Sequence, residues 1–372
     1  MAIAVWVFTG AVAGASETAP ALGVGAFVEA YGATNFNRPE NGVTALRGFD
    51  ARSGTFALSL ASVHAAVEAD TVRGRVALQA GPTALSYFGA EPATDAGYAV
   101  APTGAAALHL VREAWAGTAF TGDTGRLELD AGVFLSPVGY DAIAVKDNRF
   151  WSVSHLGVGL PFYFTGVRAV HHLPGDGGAV TAAVFNGWNS IIDNNRGKTG
   201  MLSYGRVAES GAEFQVLTMG GVEQAEGDDW RQLLDVWADL PLGSFALLVG
   251  ADGGVEIRED GLHTWQAAQV GGEWSGERGL RAGARFDAFR EDGPSGLAGA
   301  IFWPTTWVGS GTVSAGWSPK PGFLVRVEGR QDRAADPVFY AAGSALPSAR
   351  AQTTLTLGVT GWFDGQAALL QP

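Results

Sequence analysis

Asp193-Asn194-Asn195-Arg196-Gly197-Lys198-Thr199 is the stretch of this sequence that most invites a chemical reading. It ends in Gly-Lys-Thr, the close of a phosphate-binding loop, which needs a glycine five residues earlier so that successive N–H groups curl around phosphates. Ile192 stands there, and its side chain blocks the curl. A calcium loop is begun by Asp193 and Asn195 at alternate positions. It fails because Gly197 falls where a ligand is due and Lys198 where the sharp-turn glycine is due. A polar turn between two strands remains, since Asn, Asp and Gly tolerate positive φ.

Histidine offers little more. His64, His109 and His155 are scattered, as is His263, and His171-His172 adjoin a Pro-Gly-Asp-Gly turn. Adjacent strand residues point to opposite faces, which works against a metal pair there. A hydrolase needs a positioned nucleophile and base, and the sequence carries no such signature. The expectation is no catalytic residue, no metal site and no cofactor.

The residues that do form a pattern are charged, and the pattern has period two. Arg126, Glu128 and Asp130 share one face, with Leu127, Leu129 and Val133 on the other. Arg281, Arg285 and Asp287 oppose Leu280, Ala282 and Phe286 in the same way. Arg326, Glu328 and Arg330 oppose Phe323, Val325 and Val327. Such segments are strands with one apolar and one polar face. About sixteen occur, from 24–37 to 351–363.

Composition says what surrounds them. Charged residues are only 16%, against roughly 25% in an ordinary globular domain, while Gly reaches 54 of 372 with 12 Trp, 20 Phe and no Cys. That is a chain whose outside does not all face water. No apolar run reaches the roughly 20 residues of a spanning helix. The net charge of −13 argues against nucleic acid. The apolar start through Ala13-Gly14-Ala15 reads as a signal peptide over 1–15 without its basic n-region, from a truncated start or else merely an apolar N-terminus.

The connections alternate between tight turns and long loops, as in an up-and-down outer-membrane barrel with short periplasmic turns and longer outside loops. The fold expected is therefore all-β: a transmembrane antiparallel β-barrel over 24–363, a short lead at 16–23 and a tail at 364–372. Arg at the lipid midplane costs about 2–4 kcal/mol, so the charged register turns inward. The expected pore-lining set adds Glu29, Arg168, Asp235, Asp239, Asp252 and Glu273 to the nine charges named above. Mixed inward charges set up a transverse field that orders water and favours polar solutes, form cross-strand ion pairs that stiffen the wall, or do both at once. The loop 139–160, with Asp141, Lys146, Asp147 and Arg149, is the candidate to narrow the channel; whether it folds inward or lies across the mouth is left open. If inward, Arg281, Arg285, Arg326 and Arg330 would face it across the opening. Aromatics where strands meet loops suggest membrane-boundary girdles: Phe36, Trp115, Trp188, Trp230, Trp265, Trp274, Trp307, Trp317, Trp362 and Phe363.

Three stretches resemble a known family. "YGATNFNRPENGVTALRGFDARSGTFALSLASV", "VKDNRFWSVSHLGVGLPFYFTGVRA" and "FNGWNSIIDNNRGKTG" are similar, in order and spacing, to the β-barrel porins of the OmpL-like group of Gram-negative outer membranes. The resemblance runs from about residue 25 to 363 and implies a secreted barrel and a pore, with no catalytic residue to carry over. Thr356, Gly358 and Phe363 fit the C-terminal signal for the barrel-assembly machinery, whereas Gly361 stands where a hydrophobic residue is expected. The function expected is passive diffusion of small hydrophilic solutes through an outer-membrane porin surrounded by lipid. The alternative is a narrow or plugged barrel with an adhesion or structural role, and a barrel-embedded hydrolase comes third. A homo-oligomer such as a trimer is left open.

Overall fold

In the computed structural model, which describes residues 21–69, 71–89, 91, 108–223, 230–293 and 301–368, the alternating segments pair edge to edge into one closed antiparallel barrel of sixteen strands. β1 (Ala21–Asn35), β2 (Thr55–Glu68), β3 (Val72–Ala80) and β4 (Val111–Gly122) form the first quarter. β5 (Gly125–Leu135), β6 (Tyr163–His172), β7 (Ala179–Phe185) and β8 (Thr199–Val207) continue it. Next come β9 (Glu213–Val222), β10 (Trp230–Leu242), β11 (Phe245–Arg258) and β12 (Gly261–Ser275). The last are β13 (Leu280–Asp292), β14 (Trp307–Trp317), β15 (Phe323–Ala334) and β16 (Ala351–Ala368). Each strand pairs with its neighbours in chain order, and β16 returns to β1 with Ala21 opposite Ala368 and Asn35 opposite Thr354. Closure leaves no unpaired edge, the condition a sheet must meet in hydrocarbon.

The two faces are inverted relative to a soluble protein. In β13, Phe286 is 65% exposed on the outside while Arg285 and Asp287, its neighbours, are buried inside. On β14 the outward Trp307 and Trp317 bracket Val313, which is 63% exposed. Ten residues rise roughly 33 Å along a strand; tilted as barrel strands are, that is about the 25 Å height of a lipid-facing band.

One end of the barrel carries only tight connections, 69–71, 123–124, 173–178, 208–212, 243–244, 276–279 and 318–322. Gly125, at φ 116°, lets the 123–124 turn close beside the His172 carbonyl, where a side chain would collide. The opposite end carries 36–54, 81–110, 136–162, 186–198, 293–306 and 335–350, together with two shorter links.

Several boundaries differ from the sequence pattern. The wall begins at Ala21 and runs to Ala368, so residues 364–368 are strand rather than tail. Gly- and Ala-rich ends carry little periodicity, and each strand is extended by its partner across the seam. Residues 1–20 and 369–372 lie outside the described residues. β3 stops at Ala80, because Pro82 opens a short helix, α1 (Pro82–Phe88). β4 starts at Val111.

The girdle assignment is corrected for four of its tryptophans. Trp230, Trp274, Trp307, Trp317 and Phe363 are exposed on the outside, as is Phe36. Trp188 and Trp265 are buried inside, edge to face with each other, and Trp188 stacks on Phe302. The Trp265 indole N–H donates to Asp252 at 3.0 Å, a partner lipid cannot supply. Trp115 stands between the guanidinium groups of Arg73 and Arg168, each about 5 Å from its ring centre. Trp362, opposite Phe27 in the ladder, packs against the inner apolar cluster around that ring.

The inverted faces give a direct test. Val313→Arg is expected to impair assembly by about 2–4 kcal/mol near the midplane, and Val313→Leu to be tolerated. The fraction of each variant that migrates as folded barrel on unheated gels measures the difference.

Candidate functional site

The connection 136–162 between β5 and β6 cannot pair with a sheet, so its backbone must find partners elsewhere. It finds them inside the barrel, on charged side chains of the wall. The Gly139 N–H donates to Asp235 at 3.1 Å and the Lys146 N–H to Glu29 at 2.9 Å. Glu328 takes two, from Trp151 at 2.7 Å and Ser152 at 3.0 Å, and Asp287 takes the His155 N–H at 2.8 Å. The carbonyls are held by arginines: Asn148 by Arg326, Ser152 by Arg285 and Val153 by Arg330, at 2.7 to 2.9 Å. Hydrogen bonds to charged groups contribute about 1.5–3 kcal/mol each.

The loop supplies its own rigidity as well. Asp141 accepts from the Ser154 N–H and hydroxyl, and the Ser154 Oγ caps α2 (His155–Val158) by accepting from Gly157 at 2.9 Å. Asn148 and Ala142 bond to each other twice. Trp151 lies on Gly358 of β16, where any side chain would overlap its ring. Arg149 spans Asp239 at 2.6 Å and Glu273 at 3.2 Å, with the Tyr140 hydroxyl on the same Asp239.

The inward charges thus divide into two sets. Asp235, Asp239, Glu273, Arg285, Asp287, Arg326, Glu328 and Arg330 lie under the loop from β10 to β15, as does Glu29 on β1; the Arg285 and Arg330 side chains are 1% exposed. Asp252, beside them, is buried against Trp265. This corrects the expectation that Arg285, Arg326 and Arg330 face the loop across an opening: they hold it directly. Arg281 pairs with Glu273 at 3.7 Å and makes no bond to the loop.

The second set lies on β2 to β6, where Arg126, Arg168 and Glu68 keep contact with open space while Arg73, Glu128 and Asp130 are buried. Arg126 bonds Glu68 at 2.5 Å and Glu128 at 3.1 Å, and Arg168 bonds Asp130 at 3.0 Å; these two arginines are 30% and 26% exposed. Arg73 ties Glu128 to Asp130, and Arg75 pairs with Glu113 at 2.9 Å. Of the four loop candidates, Asp141 and Arg149 hold the loop, Arg149 with 16% of its side chain exposed, and Lys146 and Asp147, paired at 2.6 Å, are 17% and 23% exposed.

Sequence reasoning missed Glu68, Arg73 and Arg75, although "VRGRVALQA" places both arginines on the polar register. It also missed Asp332 and His155, which meet only through the loop. The 193–199 stretch is an ordinary loop, closed by a Lys198–Asp193 ion pair and by Glu91, which accepts from the Ile191 and Ile192 N–H groups.

A closed sixteen-strand barrel with an apolar outside, charged inner wall and a long loop folded into its lumen is the architecture of an outer-membrane porin. The chain belongs to the family described as putative beta-barrel porin-2, OmpL-like, whose model matches residues 21–363. Solved outer-membrane protein structures share the fold at low identity. The Salmonella typhi OmpF complex with daunomycin has a TM-score of 0.60 and 14% identity over 92% of this chain and 97% of that one. The outer-membrane channel DcaP of Acinetobacter baumannii has 0.59 and 12% over 94% and 99%. OmpT of Vibrio cholerae, in its trimer form, has 0.58 and 11% over 93% and 100%. No curated protein sequence matches the chain. The protein is an outer-membrane porin.

Two outcomes follow for the loop. Glu328→Ala leaves the Trp151 and Ser152 N–H groups without their acceptor, at about 1–3 kcal/mol; single-channel traces should then show excursions to a larger conductance. His155 is enclosed between Arg330, Asp287, Asp332 and Trp303, and burial, followed by Arg330, holds its pKa below the usual value. Its contribution is therefore present above the ordinary imidazole value of about 6.5 and lost as pH falls. Acidification should loosen the loop in the wild type, and His155→Gln should reduce that pH dependence in the same traces.

Proposed function

We propose that the protein passes small hydrophilic solutes by passive diffusion, without a reaction, through a narrow passage set to one side of the barrel. The passage runs between the β2–β6 wall and the loop tip at Lys146-Asp147. The observation that carries this is the contrast in exposure among the inward arginines: Arg126 and Arg168 are 30% and 26% exposed where Arg285 and Arg330, under the loop, are 1%, while Arg281, which the loop does not touch, is 23% exposed. Water and solute follow the side on which charged groups still present free surface.

The runner-up, a plugged barrel with an adhesion or structural role, has its own support. Phe49, Tyr87, Phe162 and Tyr163 pack ring against ring above the open side, with centres 5.7 to 6.3 Å apart. Conductance separates the two. Purified folded protein in a planar bilayer should carry discrete KCl steps, and deletion of 143–154 should raise their size severalfold. A folded, inserted barrel that conducts nothing would leave the plugged reading in its place.

A further inference from the structure

Arg112 breaks the alternation of its strand. Ala77 pairs with Glu113 and Leu78 with Val111, so Arg112 is the extra residue of a β-bulge. Bulges re-aim side chains, and here Arg112 and Glu113 both reach the interior: Glu113 meets Arg75 while Arg112 reaches toward β1. The Arg112 guanidinium lies 5.2 Å from the centre of the Phe27 ring. The Lys146 ammonium of the inward loop stands 5.7 Å from the same centre.

The partners of Arg112 are what set it apart. Among the described residues, the other strand arginines turned inward have a carboxylate within 4 Å or hold a loop carbonyl. Arg112 has neither, although it is only 6% exposed and its Nε is enclosed without a partner. Glu29 is within electrostatic reach, but it forms no ion pair with Arg112; its Oε1 takes the Lys146 N–H at 2.9 Å and its Oε2 is buried without a hydrogen-bond partner. The Tyr87 hydroxyl, within electrostatic reach of Arg112, is buried without a hydrogen-bond partner. An enclosed, unpaired guanidinium is costly unless an anion joins it, and guanidinium geometry suits the paired oxygens of carboxylate or phosphate.

We propose that Arg112, with the Tyr87 hydroxyl and with Lys146, which approaches the same Phe27 ring while paired to Asp147, forms an oxyanion-binding site on the passage, and that the porin favours solutes bearing a carboxylate or phosphate. The site rests on the passage proposed above. Its test uses the whole protein in planar bilayers, with folding checked by heat-shifted gel migration. In a KCl gradient, Arg112→Gln should move the reversal potential toward cation preference. Inorganic phosphate, and acetate in a separate arm, should reduce the wild-type current. That block should weaken about tenfold in Arg112→Gln and be partly restored in Arg112→Lys. Block by phosphate alone assigns the site to phosphate-bearing solutes, and block by acetate alone to carboxylates. A wild-type channel that conducts KCl but gives the same reversal potential and block as Arg112→Gln overturns the site and leaves the porin intact. A protein that conducts nothing overturns the passage and the site together.

Discussion

The organisation of the lumen depends on one exchange: wall charges that would be buried alone are joined to a loop backbone that would be unpaired alone. Arg285, Arg326 and Arg330 take carbonyls, and Glu29, Asp235, Asp287 and Glu328 take N–H groups. Neither side is stable without the other. A buried charge stripped of its partner is strongly destabilising, and an orphaned backbone group in a closed interior carries its full desolvation penalty. The inward position of 136–162 is thus set by many short, charge-assisted bonds rather than by regular structure, of which the loop has little beyond α2 and one turn at Val145–Asp147.

Lipid makes this arrangement available. With hydrocarbon outside, apolar side chains such as Phe286 and Val313 are stable on the exterior, and the interior is released from serving as an apolar core. The inner wall can then carry charge at a density no soluble core tolerates. Where apolar groups do occur inside, they fill gaps between wall and loops: Trp151 against Gly358, Phe150 beside Gly271 and Gly283, and Trp188 with Trp265 and Phe302. The glycines matter here as absent side chains, since a Cβ at Gly358 would overlap the indole.

The result is a lumen with two unlike halves. Over β10 to β15 the loop is clamped to the wall, and Arg285 and Arg330 beneath it are sealed. Along β2 to β6 the charges form a cross-strand ladder, Arg126 to Glu68 and Glu128, Arg73 to Glu128 and Asp130, Arg168 to Asp130, that stays partly open. Of the two readings of inward charge, transverse field or stiffening ladder, the ladder describes the β2–β6 side. The β10–β15 side carries cross-strand pairs as well, Arg231 with Glu256 and Arg281 with Glu273, but Arg285, Arg326 and Arg330 there bind the loop.

The sequence by itself determined the barrel. Period-two alternation with charge on one face is a local property of each strand, as in 125–137 or 322–332, and lipid allows only one way to turn it; turn lengths then order the strands. The same register put Arg126, Arg285 and Arg330 on the inner wall. Only the tertiary structure decided which inward charges meet water. Arg126 and Arg330 are indistinguishable in pattern, yet one is partly open and the other sealed, because a loop far away in the chain lies on Arg330. Trp188 and Trp265 went astray for the same reason: strand ends mark both the lipid boundary and the space beneath folded loops, and only packing separates them. Arg112 was hidden more deeply, since a bulge breaks the very periodicity by which a strand is recognised.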